Sequence, residues 1–139
     1  MPNFIGAVTK FDPSLCLPHL RKFVDDEYAP SAIFLEYIPG LEMLSLENYT
    51  QARMDNLISG IKQIHEAMVR HRDPKPRNMM IVTGSPDRVV WIDFDRAHTY
   101  DKETISDEQR SLIEEEQEIV VDFGDAMVSN SIVYPGSLF

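Results

Sequence analysis

The chain has 139 residues, 43% apolar and 26% charged, with a formal net charge of −10. That length and balance suit a single domain with an ordinary folded core, while the acidity disfavours nucleic acid and anionic membrane as partners. Cys16 is the only cysteine, which excludes an intrachain disulfide or a thiolate metal site and points to an intracellular, cytoplasmic setting.

The amino-terminal MPNFIGAVTKFD lacks a basic stretch ahead of a long apolar core, and no apolar run approaches membrane-spanning length. Phe4 to Val8 reads as a short strand. Residues 12–30 hold three prolines and Asp25-Asp26-Glu27. They read mostly as loop, with a short helix around Leu17 to Val24. Ala32 to Ile38 is apolar and strand-length, and it stops at the turn signal Pro39-Gly40.

Asn48 to Arg70 is the clearest helix. Leu57, Ile61, Ile64 and Met68 share one face, and Met54 and Ile58 widen the stripe. Gly60 weakens this helix by about 1 kcal/mol relative to Ala. Pro74 and Pro76 forbid its continuation, so His71 to Asn78 must be loop. Met79–Thr83 and Arg88–Phe94 read as two strands joined through Gly84-Ser85-Pro86-Asp87. Such a hairpin would return Asp93 to the side of Asn78.

The last helix is predicted from about Asp107 to Val128, with Ser106 and Gln109 at capping-box spacing. Leu112, Ile113, Ile119, Val120, Phe123 and Met127 would be its apolar face. Glu114, Glu115, Glu116 and Glu118 would mostly form the wet one. Ser129 to Phe139 has weak signals and reads as a fraying tail. His65 and His98 lack partner spacing and read as structural or exposed. Trp91 and the methionines read as core.

The stretch His71-Arg72-Asp73-Pro74-Lys75-Pro76-Arg77-Asn78 concentrates the chemistry. Asp73 is a candidate base, because a carboxylate accepts hydrogen bonds and is ionised at neutral pH. Lys75 is a cation able to offset phosphoryl charge. Asn78 and Asp93 offer oxygen ligands of the kind Mg²⁺ takes. Phosphoryl transfer needs this inventory, since its catalysis is mostly positioning and charge neutralisation.

The loop also fits the H-R-D-x-x-x-x-N signature, which composition alone would produce on the order of once in 10⁵ to 10⁶ start positions. Here the chain resembles the protein-kinase-like superfamily, and the form with WIDFDRAHT after the hairpin resembles divergent kinase-like proteins of filamentous fungi. Leu35-Glu36-Tyr37-Ile38-Pro39-Gly40 resembles the hinge between kinase lobes. The resemblance implies ATP and Mg²⁺ as cofactors and a hydroxyl acceptor on a protein or small molecule. Asp73 and Lys75 would be catalytic, with Lys75 also facing phosphate, and Asn78 and Asp93 would hold metal. The Glu36 carbonyl and the Ile38 backbone would face adenine, Leu35 would be the gatekeeper, and Glu42 would reach the ribose. Arg72 resembles the arginine that pairs with a phosphorylated activation loop, and His71 a scaffold residue.

The implied fold is α+β: a truncated kinase-like domain over residues 1–139. Residues 1–38 would be a small-lobe remnant with the hinge strand, 39–128 part of a mainly helical large lobe, and 129–139 a tail. The chain departs from the family pattern at several points. The glycines stand at 6, 40, 60, 84, 124 and 136, so no glycine-rich phosphate loop is formed. No V-A-I-K strand precedes the hinge, Asp95 follows Asp93-Phe94 where Gly is usual, and no A-P-E motif follows. These departures keep two alternatives open: a catalytically inactive pseudokinase or scaffold module, and a small-molecule phosphotransferase like the aminoglycoside and choline kinases. Thin cover over the small-lobe side would favour a protein partner or self-association there.

Overall fold

The apolar stripe of the helix before the His71–Asn78 loop organises the core of the chain from Ile38 onward. The computed structural model describes residues 2–133, and these form a small α+β fold with two α-helices and several antiparallel sheets. Helix α1 spans Gln51–Glu66. It is shorter at both ends than the apolar periodicity predicts. Thr50 is extended and its side chain accepts from the Arg53 N–H at 3.2 Å, which caps the first turn and excludes Asn48. At the other end Met68 turns left-handed, with φ 59°. Glycine usually takes this position after a helix. With methionine there, the sequence carries no stop signal, and Met68 is not part of the helical stripe.

Met54, Leu57 and Ile61 are fully buried on α1. Against them packs a three-stranded antiparallel sheet of β3 (Leu41–Met43), β5 (Met79–Val82) and β6 (Val89–Trp91), in the order β3-β5-β6. The expected hairpin is β5-β6, with Met79 opposite Trp91 and Ile81 opposite Val89, but its second strand ends at Trp91 rather than Phe94. Its loop is tied to α1: Arg53 Nε donates to the Pro86 carbonyl at 2.9 Å and Asn56 Nδ2 to that of Asp87 at 2.8 Å. Trp91 is buried under α1 and its indole N–H donates to the Leu57 carbonyl at 3.0 Å.

Two further short strands, β4 (Val69–Arg70) and β7 (His98–Thr99), pair antiparallel. Helix α2 spans Asp107–Val133 and runs past the expected end at Val128; the rest of the tail, 134–139, lies outside the described residues. Its capping box is formed in both directions, Ser106 N–H to Gln109 Oε1 at 2.9 Å and Gln109 N–H to Ser106 Oγ at 3.2 Å. Val120 and Met127 are buried against α1.

The expected faces of α2 need one correction each way. Ile119 is 55% exposed, whereas Glu116 is only 2% exposed. Glu116 stands four residues before Val120 and so on the core side of the helix, while Ile119 is rotated away from it. Glu114, Glu115 and Glu118 are solvated as expected.

Pro2–Tyr37 forms a separate compact unit from the chain that begins at Ile38. Strands β1 (Phe4–Val8) and β2 (Ala32–Leu35) make an antiparallel pair with a bulge between Phe4 and Gly6. β2 ends at Leu35 rather than Ile38. Two 3-10 turns, Pro13–Cys16 and Arg21–Phe23, stand in place of the short helix expected near Leu17 to Val24. The prolines of this stretch withhold the amide donors that a longer helix needs.

Two glycines should respond oppositely to alanine. At Gly60 a Cβ would lie 3.1 Å from Trp91 Cδ1, and that ring is held by its own hydrogen bond. Gly60→Ala is therefore expected to lose about 1 kcal/mol net, overpacking outweighing the helix-propensity gain. At Gly124 the Cβ would meet the flexible Met54 side chain, at 3.0 Å from Cγ. Gly124→Ala should fall within about 0.5 kcal/mol of wild type, since methionine readjusts and alanine favours helix. Urea unfolding of both variants checks this.

Candidate active site

The loop after β4 is built on backbone constraints before any side chain acts. Arg72 and Asp93 both adopt left-handed φ, 67° and 64°. Such angles are uncommon outside glycine, though aspartate tolerates them best. Pro76 opens a single 3-10 turn, Pro76–Asn78, that carries the chain into β5. Within it the Lys75 N–H donates to the Asp73 carbonyl and the Asn78 N–H to the Lys75 carbonyl, both at 2.8 Å.

One buried carboxylate receives this loop. Glu116 Oε2 accepts from the His71 N–H at 2.8 Å and from His65 Nε2 at 2.9 Å, and Oε1 accepts from the Arg72 N–H at 2.6 Å. Arg70 Nε lies 4.0 Å from Oε1. Two successive main-chain N–H groups converging on one anion make a small nest. Burial pushes the Glu116 carboxyl pKa up. The bonds from His65, His71 and Arg72 outweigh that and hold it below its ordinary value.

His71 carries the support onward. It is fully buried, and its ring packs on Trp91 and Phe94 at centroid distances of 5.4 and 4.6 Å. Nε2 lies 2.9 Å from the Ile92 carbonyl, and a carbonyl only accepts, so Nε2 bears a proton. Nδ1 faces the Asp73 N–H at 3.4 Å. The scaffold role expected of His71 is thus a bridge between the loop and the end of β6.

Asp73 is 4% exposed and held from three sides. Arg77 Nη2 donates to Oδ2 at 2.5 Å, Lys75 Nζ lies 3.3 Å from Oδ1, and Asn78 Nδ2 donates to the Asp73 carbonyl at 2.8 Å and to Oδ2 at 3.1 Å. Burial raises its pKa, but the two cations outweigh it, Arg77 ahead of Lys75, and the carboxyl is held below its ordinary value.

No model of a known protein family matches this chain, and no curated protein matches it either. The assignment of roles therefore rests on the geometry.

Asp73, Lys75 and Asn78 come together in one cluster. With Asn78 Nδ2 bonded to Asp73, no described residue takes its Oδ1. The Ile92 N–H donates to the Asn78 carbonyl at 3.2 Å, which places Asp93 one residue beyond this contact. Asp93 is exposed and pairs with no cation among the described residues. An asparagine oxygen and a carboxylate are donors suited to a hard divalent ion such as Mg²⁺. No set of three or more His, Cys, Asp or Glu side chains arranged for a metal occurs among the described residues.

The other expected site residues are not part of this loop. Glu42, on β3, accepts from Thr83 Oγ1 at 2.8 Å across the β3-β5 ladder. Ile38 is buried against Val82 and Val90. Leu35 and Glu36 belong to the Pro2–Tyr37 unit, where the Glu36 N–H donates to the Asn3 carbonyl at 2.8 Å and Glu36 Oε2 accepts from the Asn3 N–H at 3.2 Å. The Arg72 side chain lines a shallow pocket with Arg70, His98 and Tyr100.

Sequence reasoning missed Arg77 and Glu116. Arg77 falls on an x position of the loop signature, where nothing marks it. Glu116 could have been found, because its spacing to Val120 and Met127 puts it on the buried face of α2.

Glu116→Gln tests the anchor. The amide presents a donor where only acceptors are wanted, so a loss of about 3 kcal/mol is expected at pH 7. The folded pKa of Glu116 lies below its ordinary 4.5, so its stabilisation is complete above that pH and fades as pH falls through the folded value. The gap between wild type and variant in urea unfolding should accordingly narrow in acid. A gap that stays constant down to the acid transition would refute the charge assignment.

Proposed function

We propose that the chain is a kinase-like phosphotransferase domain of the protein-kinase-like superfamily, moving the terminal phosphoryl group of ATP to a hydroxyl acceptor. The observation that carries this reading is the clustering of Asp73, Lys75 and Asn78 on one loop fixed from beneath by Glu116 and His71. Phosphoryl transfer asks little covalent chemistry of a protein and much positioning, which such a loop supplies.

In this reading Asp73 accepts a hydrogen bond from the acceptor hydroxyl and aims its oxygen at phosphorus. A carboxylate with a lowered pKa is a weak base, so orientation is its first task. The proton passes to it as the new oxygen–phosphorus bond forms and the bond to the departing ADP breaks. Lys75, more than half exposed, can turn from Asp73 toward the transferring group and offset its charge. Mg²⁺, when bound, would neutralise phosphate charge, with Asn78 and Asp93 as its protein ligands. Leu35, Glu36, Ile38 and Glu42 are proposed to receive the nucleoside. Of these Glu42 would have to release Thr83 to reach a ribose.

A second reading has its own support. Both carboxylate oxygens of Asp73 are already engaged, by Lys75 and by Arg77. This favours a module that binds nucleotide without transferring phosphate.

Calorimetric titration with ATP, with and without Mg²⁺, separates these. The phosphotransferase reading expects Mg²⁺-dependent binding that Asp93→Asn weakens at least tenfold, and slow ATP turnover that Asp73→Asn reduces by about 10² or more. Binding that survives with turnover indifferent to Asp73→Asn supports the binding module. The absence of ATP binding under either condition overturns both.

A further inference from the structure

In the Pro2–Tyr37 unit, β1 and β2 form a sheet of only two strands, so each presents an open edge among the described residues. A two-stranded ribbon is marginal in water without further cover, and unpaired edges are usually blunted by charge, proline or a bulge. β1 has such a device, the bulge between Phe4 and Gly6. β2, Ala-Ile-Phe-Leu, has none: it contains no charge and no proline, and its register to β1 is unbroken from Ala32 to Phe34.

The direction of its free groups follows from one bond. The Glu36 N–H points at β1, since it donates to the Asn3 carbonyl. Main-chain groups alternate sides along a strand, so those of Phe34 also face β1. Those of Ile33 and Leu35 face the open edge. The side chains there are exposed as well, Ile33 by 66%, Phe34 by 53% and Leu35 by 44%.

We propose that this edge pairs with the same edge of a second copy, β2 against β2, antiparallel about a two-fold axis. The edge demands an extended, uncharged strand that is apolar on both faces, and β2 meets its own demand. Of the other described strands, β5 lies inside its sheet, β6 has Val90 and Trp91 buried, β1 is bulged, and β3, β4 and β7 carry Glu42, Arg70 and His98. A two-fold contact is self-complementary by construction. The outward groups of Ile33 bond to those of Leu35 in the second copy, and the reverse pair closes the ring. Phe34 then lies opposite Phe34 of the second copy as a non-hydrogen-bonded pair, whose Cα atoms are about 4.5 Å apart. The product is a four-stranded sheet in the order β1-β2-β2-β1. This pairing uses none of the Asp73 loop; it shares only Leu35 with the phosphotransferase reading, and its test reads association rather than nucleotide binding.

Three variants of the full chain test it. By sedimentation velocity across a concentration series, the wild type should shift from monomer to dimer. Ile33→Pro deletes an outward N–H that β1 does not use, so the dimer should be lost while the circular dichroism spectrum holds. With Cys16→Ser as background, Phe34→Cys should form a disulfide-linked dimer on mild oxidation, because that Cα separation suits a disulfide. Ser31→Cys in the same background should not, since it lies far from the axis in this register. A wild type that stays monomeric throughout overturns the proposal. So does a folded Ile33→Pro that still dimerises, or Ser31→Cys cross-linking as readily as Phe34→Cys. Should Ile33→Pro unfold, the cross-link decides, and its failure at Phe34→Cys overturns the pairing.

Discussion

The Glu116 carboxylate is the constraint on which the rest of the candidate site depends. It is a buried charge with no fully formed ion pair to a lysine or arginine: Arg70 Nε approaches only to 4.0 Å. Its compensation comes chiefly from hydrogen bonds, two of them main-chain N–H groups at consecutive residues and one from His65. A carboxylate accepting several such bonds can remain ionised at depth. The exchange also works on the loop. The His71 and Arg72 amides have no ladder partner for these bonds, and Arg72 takes a left-handed φ. Strain of this kind, worth about 1–3 kcal/mol, persists where the surroundings over-determine it. Glu116 supplies that determination from α2, with His71, Trp91 and Phe94 packed alongside.

Asp73 sits one residue beyond this anchor and inherits its rigidity. Its electrostatics follow an opposite plan, with charges compensating charges. Lys75 and Arg77 are both more than half exposed while the acid they flank is nearly inaccessible. Exposed cations are mobile and screened, so the clamp on Asp73 is adjustable where the clamp on Glu116 is not. Asp73 therefore has a fixed carboxylate beneath its loop and two exposed, exchangeable cations above it.

Much of this arrangement was legible in the residues, and the exceptions have physical causes. The α1 stripe, the β5-β6 hairpin and the Ser106–Gln109 capping box all carry local signals, periodicity, turn chemistry and cap spacing, and they form as read. The end of α1 was misjudged because Met68 occupies a left-handed position without the glycine that would announce it. The strand expected to reach Ile38 stops at Leu35, and Ile38 is buried in a different hydrophobic cluster, with Val82 and Val90, which the run of apolar residues did not distinguish. Glu116 was hidden by its neighbours. Three solvated glutamates around it made the run look uniformly wet, and only its register with Val120 gave it away. Arg77 had no local signal at all, since its partner Asp73 meets it through a proline-shaped loop rather than along a helix.

The two units also differ in how completely they satisfy themselves, and that difference bears on function. The chain from Ile38 onward closes a core around Met54, Leu57, Ile61 and Trp91. In Pro2–Tyr37 the only buried residue is Pro13, while Phe4, Ile5, Ile33 and Phe34 are each more than half exposed. Apolar strands left so open are costly to maintain as a free surface and prone to pairing. The candidate catalytic loop thus rests on the self-sufficient unit, whereas Leu35 and Glu36, proposed to meet the nucleoside, belong to the unit that needs cover. If β2 pairs with a second copy, the strand bearing Leu35 becomes interior to a sheet and its backbone is fixed. The order of the Pro2–Tyr37 unit would then depend on protein concentration, because association supplies the cover that the two-stranded ribbon lacks by itself.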